Sequence, residues 1–286
     1  MIEQNTLRAA LRFQGVGLHT GAPASVEVQP APVDSGITFV VASATDSKTP
    51  VRVPATAEYV IDTSRATVLG RDGASISTTE HLLSALFAMG VSNADVCVDG
   101  PEIPICDGSA RGFVEAIDAI GMQPQGRPRV EFTPQEPLFL QRQERMLAVF
   151  PSPVFRVRFV ADFPAPIGTQ YYYRDVDAAG YRDDIAGART FGYLHEVEAL
   201  RARGLALGGT LDNAVVFAPD GPMQPLRWND EVVRHKVLDL IGDLALLGAW
   251  PRCEVVAIKT GHEMHAAAVR ALRSQNAVGG SRVWPN

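Results

Sequence analysis

Cysteine is scarce in this sequence: Cys97, Cys106 and Cys253 are the only three in 286 residues. They are scattered and form no CxxC pair. That excludes a cysteine-built zinc site and a disulfide scaffold, and it fits a reducing, cytoplasmic setting. Long apolar runs are also missing, since no stretch reaches the roughly eighteen residues that a membrane-spanning helix requires. The opening MIEQNTLRAALRF carries charge early and has no continuous apolar core, so no signal peptide is expected. Blocks of Lys and Arg are absent and the formal net charge is −6, so nothing points to non-specific nucleic-acid binding. A local basic site for one anionic ligand stays open. Low-complexity segments and short-period repeats are absent. What is left is an ordinary globular composition, 46% hydrophobic and 20% charged, enough for one large domain or two of medium size.

The chain reads as short strands punctuated by Gly and Pro, with a few clear helices. Residues 24–29 (ASVEVQ), 94–98 (ADVCV) and 155–160 (FRVRFV) alternate as half-buried strands do. Residues 79–89 are apolar at helical spacing, and Ser77-Thr78-Thr79-Glu80 reads as a capping box before them. A second helix is expected over 110–120, starting after Asp107-Gly108-Ser109 and ending at Gly121. QPQGRPR (123–129), with two prolines, a glycine and no apolar anchor, reads as a linker. Beyond it the pattern resumes: strands, a helix over 231–247, a strand over 253–259 and a last helix near 264–273. Each half thus has strands first and two helices later. The expected fold class is α+β, with domains over 1–124 and 125–286.

The chemistry concentrates in EVVRHKVLDLIGDLALLG (231–248). A helix that is apolar on most sides should be buried. Yet His235, Asp239 and Asp243 fall at i, i+4 and i+8, on one stripe. Two readings stay open: the stripe faces water, or its groups share a metal, a ligand or mutual hydrogen bonds. His and Asp at i, i+4 can reach one cation, and the N,O donor set suits zinc. His81 follows Glu80 at a helix start; the pair is not HExxH. A Glu beside a ligand His is suitably placed to act as a base on an activated water, although the N3 place in a capping box would explain Glu80 as well. His262 and His265 sit in TGHEMHAAAVRAL, where a strand turns into a helix. A histidine there could give a proton to a leaving amine, with Asp243 to orient it, or could be a helix-end histidine without a role. GVGLHTG (15–21) is not GxGxxG and reads as a tight turn, from which His19 could reach a ligand. PEIPICDGS (101–109) reads as a rigid loop.

GVGLHTG (15–21), STTEHLLSAL (77–86), PEIPICDGSA (101–110), ARTFG (188–192), RGLALGG (203–209), RHKVLDLIGDL (234–244) and GHEMH (261–265) stand in the order seen in a single enzyme family. The chain resembles the UDP-3-O-acyl-N-acetylglucosamine deacetylases, zinc amidases of lipid A synthesis, over nearly its whole length. The resemblance implies two two-layer α/β sandwich domains of similar topology. Each would have a small sheet, two helices and an insert, with the active site between them. It implies zinc on His81, His235 and Asp239, and Glu80 as general base. His262 would be the acid, oriented by Asp243, and Thr190 would hydrogen-bond the developing oxyanion. Lys236 would contact the nucleotide-sugar, with His19 and Asp107 near the ligand in less defined roles. The insert at about 190–216 resembles the family's acyl passage, placing Phe191, Val197, Ala206, Thr210, Ala214 and Val216 on its wall, where ordinary core packing would serve as well. His265 could support the ligand phosphates.

The resemblance further implies an acylated UDP-amino-sugar substrate, a cytoplasmic enzyme and a monomer, with the family's C-terminal tail reduced. Two other functions compete with this one: a related hydrolase for another N-acyl sugar, and a non-catalytic ligand-binding descendant. Loss of Glu80, His262 or a metal ligand would favour the latter, and none is lost.

Overall fold

The computed structural model describes residues 2–42 and 49–278. Its strands follow from alternation. β1 (Leu11–Val16) is followed by β2 (Pro23–Pro30), which buries Ala24, Val26 and Val28 and turns Ser25, Glu27 and Gln29 outward. With β3 (Ile37–Val41), β4 (Val51–Pro54) and β5 (Ala94–Asp99) they form a five-stranded sheet of order β1-β2-β5-β3-β4. β3 and β5 are parallel and the other pairings antiparallel.

The second half repeats this plan. β6 (Leu138–Arg142), β7 (Arg145–Pro151), β8 (Arg156–Phe163), β9 (Gly168–Asp175) and β10 (Cys253–Ile258) form a sheet of order β6-β7-β10-β8-β9. Again the third and fourth strands in that order, β10 and β8, are parallel and the others antiparallel. The two halves share one topology.

Among the described residues six α-helices complete the fold: α1 (Glu80–Ala88), α2 (Arg111–Ile120), α3 (Ala178–Asp184), α4 (Leu194–Ala202), α5 (Glu231–Ala245) and α6 (His262–Val278). α1 precedes and α2 follows the last strand of the first sheet; α5 and α6 stand in the same relation to β10. The two preceding helices, α1 and α5, pack on each other at the centre. Their approach is close because Gly242 has no side chain: a Cβ there would lie 2.1 Å from the Glu80 carbonyl oxygen. One apolar core runs through both halves, from Val28 and Phe39 to Val255 and Leu272. Each half also carries an insert. In the first, Val60–Asp62, Val68–Arg71 and Ala74–Ile76 make a small antiparallel sheet. In the second, Phe191–Tyr193 pairs in parallel with Val215–Ala218, with α4 between them in sequence. Among the described residues no helix is long and apolar enough to cross a membrane.

Two local expectations are corrected. Residues 123–128 are not a free linker. They belong to the strand Met122–Pro128, paired antiparallel with Glu3–Leu7, where Leu7 faces Met122 and Asn5 faces Pro124. A two-stranded edge tolerates proline, and a partner more than a hundred residues away leaves no local trace. Nor is there a capping box before α1. The helix starts at Glu80 itself, Thr79 makes no side-chain cap, and the Thr79 hydroxyl donates instead to the Thr67 carbonyl.

Candidate active site

Buried on nearly every side, α5 leaves its polar stripe no water to face. His235, Asp239 and Asp243 are 3%, 4% and 1% exposed, so each needs a partner. Of the readings open for this stripe, the solvated one is removed. Nδ1–H of His235 donates to the Ala188 carbonyl at 3.0 Å, which leaves Nε2 as the lone-pair atom. That Nε2 lies 3.3 Å from Oδ1 of Asp239. Nε2 of His81, brought in from the first turn of α1, lies 3.8 Å from the same oxygen. Donor atoms of the three residues all fall within 4.8 Å of one another.

Three donors converge here, and Asp239 accepts from Lys236 Nζ through its other oxygen at 2.6 Å. Burial, then the neighbouring His235, hold the His81 imidazole down to about 3. Burial lowers His235 as well. Burial alone would raise Asp239, but Lys236 and His235 outweigh it and keep the carboxyl well below its ordinary value. Two neutral imidazoles and an ionised carboxylate are the forms a divalent cation takes, so the donor set fits a metal.

Beside this cluster is a second, linked one. Burial, reinforced by Asp239 and Asp243 against the opposing pull of His262, pushes the Glu80 carboxyl up to about 7. Its Oε2 accepts from the Thr67 backbone N–H at 3.0 Å, and Oε1 stands 3.8 Å from Nε2 of His262. Nδ1–H of His262 donates to Oδ2 of Asp243 at 2.8 Å. Burial alone would lower His262, but the charge and hydrogen bond of Asp243, then Glu80, carry it up to about 9. Asp243 is held down to about 2, because His262 and the hydrogen bonds it receives outweigh its burial. The Thr67 hydroxyl donates to its other oxygen at 2.5 Å. Glu80 and His262 are thus two neighbouring groups whose affinities for protons are both raised, by burial in one and chiefly by Asp243 in the other.

His265 does not reach a ligand. It is fully buried, donates to Asp243 Oδ2 at 2.7 Å and faces the Thr260 hydroxyl at 2.8 Å. Its expected part in supporting phosphates is therefore withdrawn.

A cavity of about 400 Å³ opens from these groups. His81, His235, Asp239, Glu80 and His262 lie on its wall, with Thr190 and His19. Phe191, Val197, Ala206, Thr210, Ala214 and Val216 continue it as a mostly apolar passage through the insert. Thr190 is fixed by its backbone: its N–H donates to the Gly108 carbonyl at 2.7 Å, and its carbonyl accepts from Val215 at 2.8 Å. Gly108 permits this approach with φ +85°, for a Cβ there would lie 2.0 Å from the Asn213 carbonyl oxygen.

Lys236 and Asp107 lie outside that wall. Lys236 is committed to Asp239. Asp107 accepts from Ser109 and from Arg227 Nη2 at 2.8 Å. Arg227 carries no signal in the sequence, yet its bond to Asp107 ties the two halves together, and it also donates to the Gly187 carbonyl at 2.6 Å within the second half. Glu231, 1% exposed, accepts from the backbone and side chain of Arg189 and from the backbone of Arg227. Arg227 and Thr67 stood in no pattern that sequence alone could have flagged, whereas Arg189 in ARTFG and Glu231 at the head of 231–248 lay within motifs that gave them no role.

A family model described as UDP-3-O-acyl N-acetylglycosamine deacetylase, LpxC, matches residues 4–274. The chain is 44% identical over 275 residues to a UDP-3-O-acyl-N-acetylglucosamine deacetylase of Syntrophotalea carbinolica, covering 95% of this chain and 88% of that protein. It is 45% identical over 276 residues to the protein of the same name from Phenylobacterium zucineum, covering 95% and 94%. The like-named Nostoc protein is 41% identical over 271 residues, covering 92% and 96%.

Proposed function

Because the chain belongs to the LpxC family of UDP-3-O-acyl-N-acetylglycosamine deacetylases, we propose that it hydrolyses the acetamide of UDP-3-O-acyl-N-acetylglucosamine. The products are acetate and UDP-3-O-acyl-glucosamine, the committed step of lipid A synthesis. The observation that carries this reading is the convergence of His81 from α1 with His235 and Asp239 from α5, facing Glu80 and His262 at the end of an apolar passage.

His81, His235 and Asp239 would hold zinc, a borderline ion suited to two imidazoles and one carboxylate. When bound, zinc supplies a Lewis acid that polarises the amide carbonyl and acidifies the attacking water. Glu80 takes a proton from that water. Its raised affinity for protons, set by burial, suits a base working near neutrality. His262, kept protonated by Asp243, and the Thr190 hydroxyl stabilise the negative charge that develops on the carbonyl oxygen. The amine leaves with a proton from Glu80 or His262, which face each other at 3.8 Å. Lys236 would contact the nucleotide-sugar while its bond to Asp239 holds that ligand's orientation, and His19 borders the substrate. Asp107 acts through Arg227 on the join between the halves. The 3-O-acyl chain lies along Phe191, Val197, Ala206, Thr210, Ala214 and Val216.

In this reading the chain works as two domains, 1–124 and 125–286, and acts in the cytoplasm as a monomer. The test is an acetate-release assay on the acylated UDP-sugar with metal analysis, comparing the wild type with His81→Ala and His262→Ala. The wild type should carry about one zinc per chain, as a site with three protein ligands and an open position holds one ion. His81→Ala should lose metal and activity together, and His262→Ala activity alone. A zinc-loaded wild type that releases no acetate overturns the reading.

A further inference from the structure

One buried carboxylate plays no part in this chemistry. Glu102 is 0% exposed, and among the described residues no cation pairs with it. Instead it accepts hydrogen bonds from two separate walls of the site. The His19 N–H lies 3.0 and 3.1 Å from its two oxygens, and the Thr20 N–H and hydroxyl lie 3.0 and 2.9 Å from Oε2. The Thr78 hydroxyl donates to Oε1 at 2.7 Å. A carboxylate so enclosed needs such donors.

Both ends of this link are constrained. Gly17 packs directly on the carboxylate, for a Cβ there would lie 2.2 Å from Oε2. Thr78, a β-branched residue two positions before Glu80, has φ +58°, a conformation that persists only when its surroundings hold it. On its far side the turn meets the second half's insert. Leu207 N–H donates to the His19 carbonyl at 3.0 Å and Gly208 N–H to the Leu18 carbonyl at 3.1 Å. A Cβ on Gly208 would lie 2.2 Å from the Gly17 carbonyl oxygen. The 17–21 turn is therefore clamped between Glu102 and the 205–209 segment. Leu18 and His19 from one side, and Ala206 and Gly209 from the other, line the cavity.

We propose that Glu102 is a positioning residue. It sets the height of the 17–21 turn, and through it the width of the acyl passage where Leu18, His19, Ala206 and Gly209 face the chain. The proposal rests on the deacetylase reading. Glu102 acts by accepting hydrogen bonds in a fixed shape, so an amide can replace it. In the Glu102→Gln variant the amide oxygen can receive the turn's N–H groups while the amide NH₂ donates to the Thr78 hydroxyl.

Steady-state kinetics of the zinc-loaded full chain test this, with two readouts. One is KM for the acylated UDP-sugar; the other is the inhibition constant of UDP-N-acetylglucosamine, a competitor without the acyl chain. Glu102→Ala should raise KM about tenfold while kcat and the competitor's inhibition constant move less than about threefold, the signature of lost ground-state binding confined to the acyl part. Glu102→Gln should stay within about threefold of the wild type on both readouts. Glu102→Ala leaves the His19 and Thr20 N–H groups and the Thr78 hydroxyl without their acceptor and can fail to fold. Thr20→Val, at an exposed position, removes the hydroxyl that donates to Glu102 and should raise KM a few fold in the same pattern. A folded Glu102→Ala or Thr20→Val with wild-type KM overturns the proposal. So does an equal loss on both ligands, or a Glu102→Gln as damaged as Glu102→Ala. A wild type that releases no acetate overturns the deacetylase reading instead.

Discussion

Oδ2 of Asp243 takes hydrogen bonds from two histidines at once, His262 at 2.8 Å and His265 at 2.7 Å. Only the first of them reaches the cavity. Asp243 thus supplies both the charge and the direction that keep His262 protonated. Asp243→Asn removes the charge and keeps the shape. The expected result is a fall in kcat of about a hundredfold or more, the usual weight of a general acid, with KM changed less than about threefold. Steady-state assays at saturating zinc check this, and a kcat near wild type would mean His262 does not act as a cation.

The crossing of α1 and α5 brings His81 to His235, and it depends on Gly242. A Cβ at 242 would lie 2.1 Å from the Glu80 carbonyl oxygen, so Gly242→Ala must push the helices apart. Overpacking of this kind costs about 1–3 kcal/mol. Thermal unfolding should show that loss, and a zinc titration should show weakened affinity in the folded variant, because the ligands come from both helices.

The Glu231 network gives a pH dependence whose sign follows from its lowered affinity for protons. Burial would raise the Glu231 carboxyl, but hydrogen bonds from Arg189 and Arg227 outweigh it and hold it below its ordinary 4.5. A carboxyl depressed by folding stabilises the fold above the unfolded value. That contribution is lost as pH falls from 4.5 through the folded value. Glu231→Gln should lower stability by about 3–5 kcal/mol at pH 7, as for a buried pair losing one charge. Between pH 7 and pH 4 it should lose less stability than the wild type. Melting temperatures of both proteins across that range decide it.

The passage makes its own prediction. Val197 stands on α4 and lines the cavity beyond the metal cluster. Val197→Phe should narrow the route of the acyl chain without touching the reacting groups. KM for the acylated UDP-sugar should rise about tenfold, while kcat for chains short enough to clear the residue stays within about threefold. A series of substrates of increasing acyl length reads this directly.

Much of this site was legible because helical periodicity is local. The apolar spacing of 79–89 and of 231–247 placed α1 and α5, and the i, i+4, i+8 stripe placed His235, Asp239 and Asp243 on one face. Spacing alone left that stripe open to water. Burial of α5 on both sides closes the question, and burial depends on how two distant halves pack. The shared strand order of the two sheets has no local signature, nor has the pairing of Met122–Pro128 with Glu3–Leu7. Thr67 and Arg227 escaped for the same reason, and Glu102 and Arg189, though inside the 101–110 and 188–192 motifs, received no role. Their partners lie far along the chain, and an isolated Thr, Glu or Arg carries no pattern. Glu80 shows the converse: a plausible local role, the capping box, gave way to one set by tertiary surroundings.

The most direct measurement is acetate release by metal-loaded Glu80→Gln beside the wild type, with zinc counted in both. Glu80 is not among the three metal ligands, so the variant should keep about one zinc per chain and lose at least about a hundredfold in kcat, the weight of a general base. Undiminished acetate release by Glu80→Gln would contradict the account.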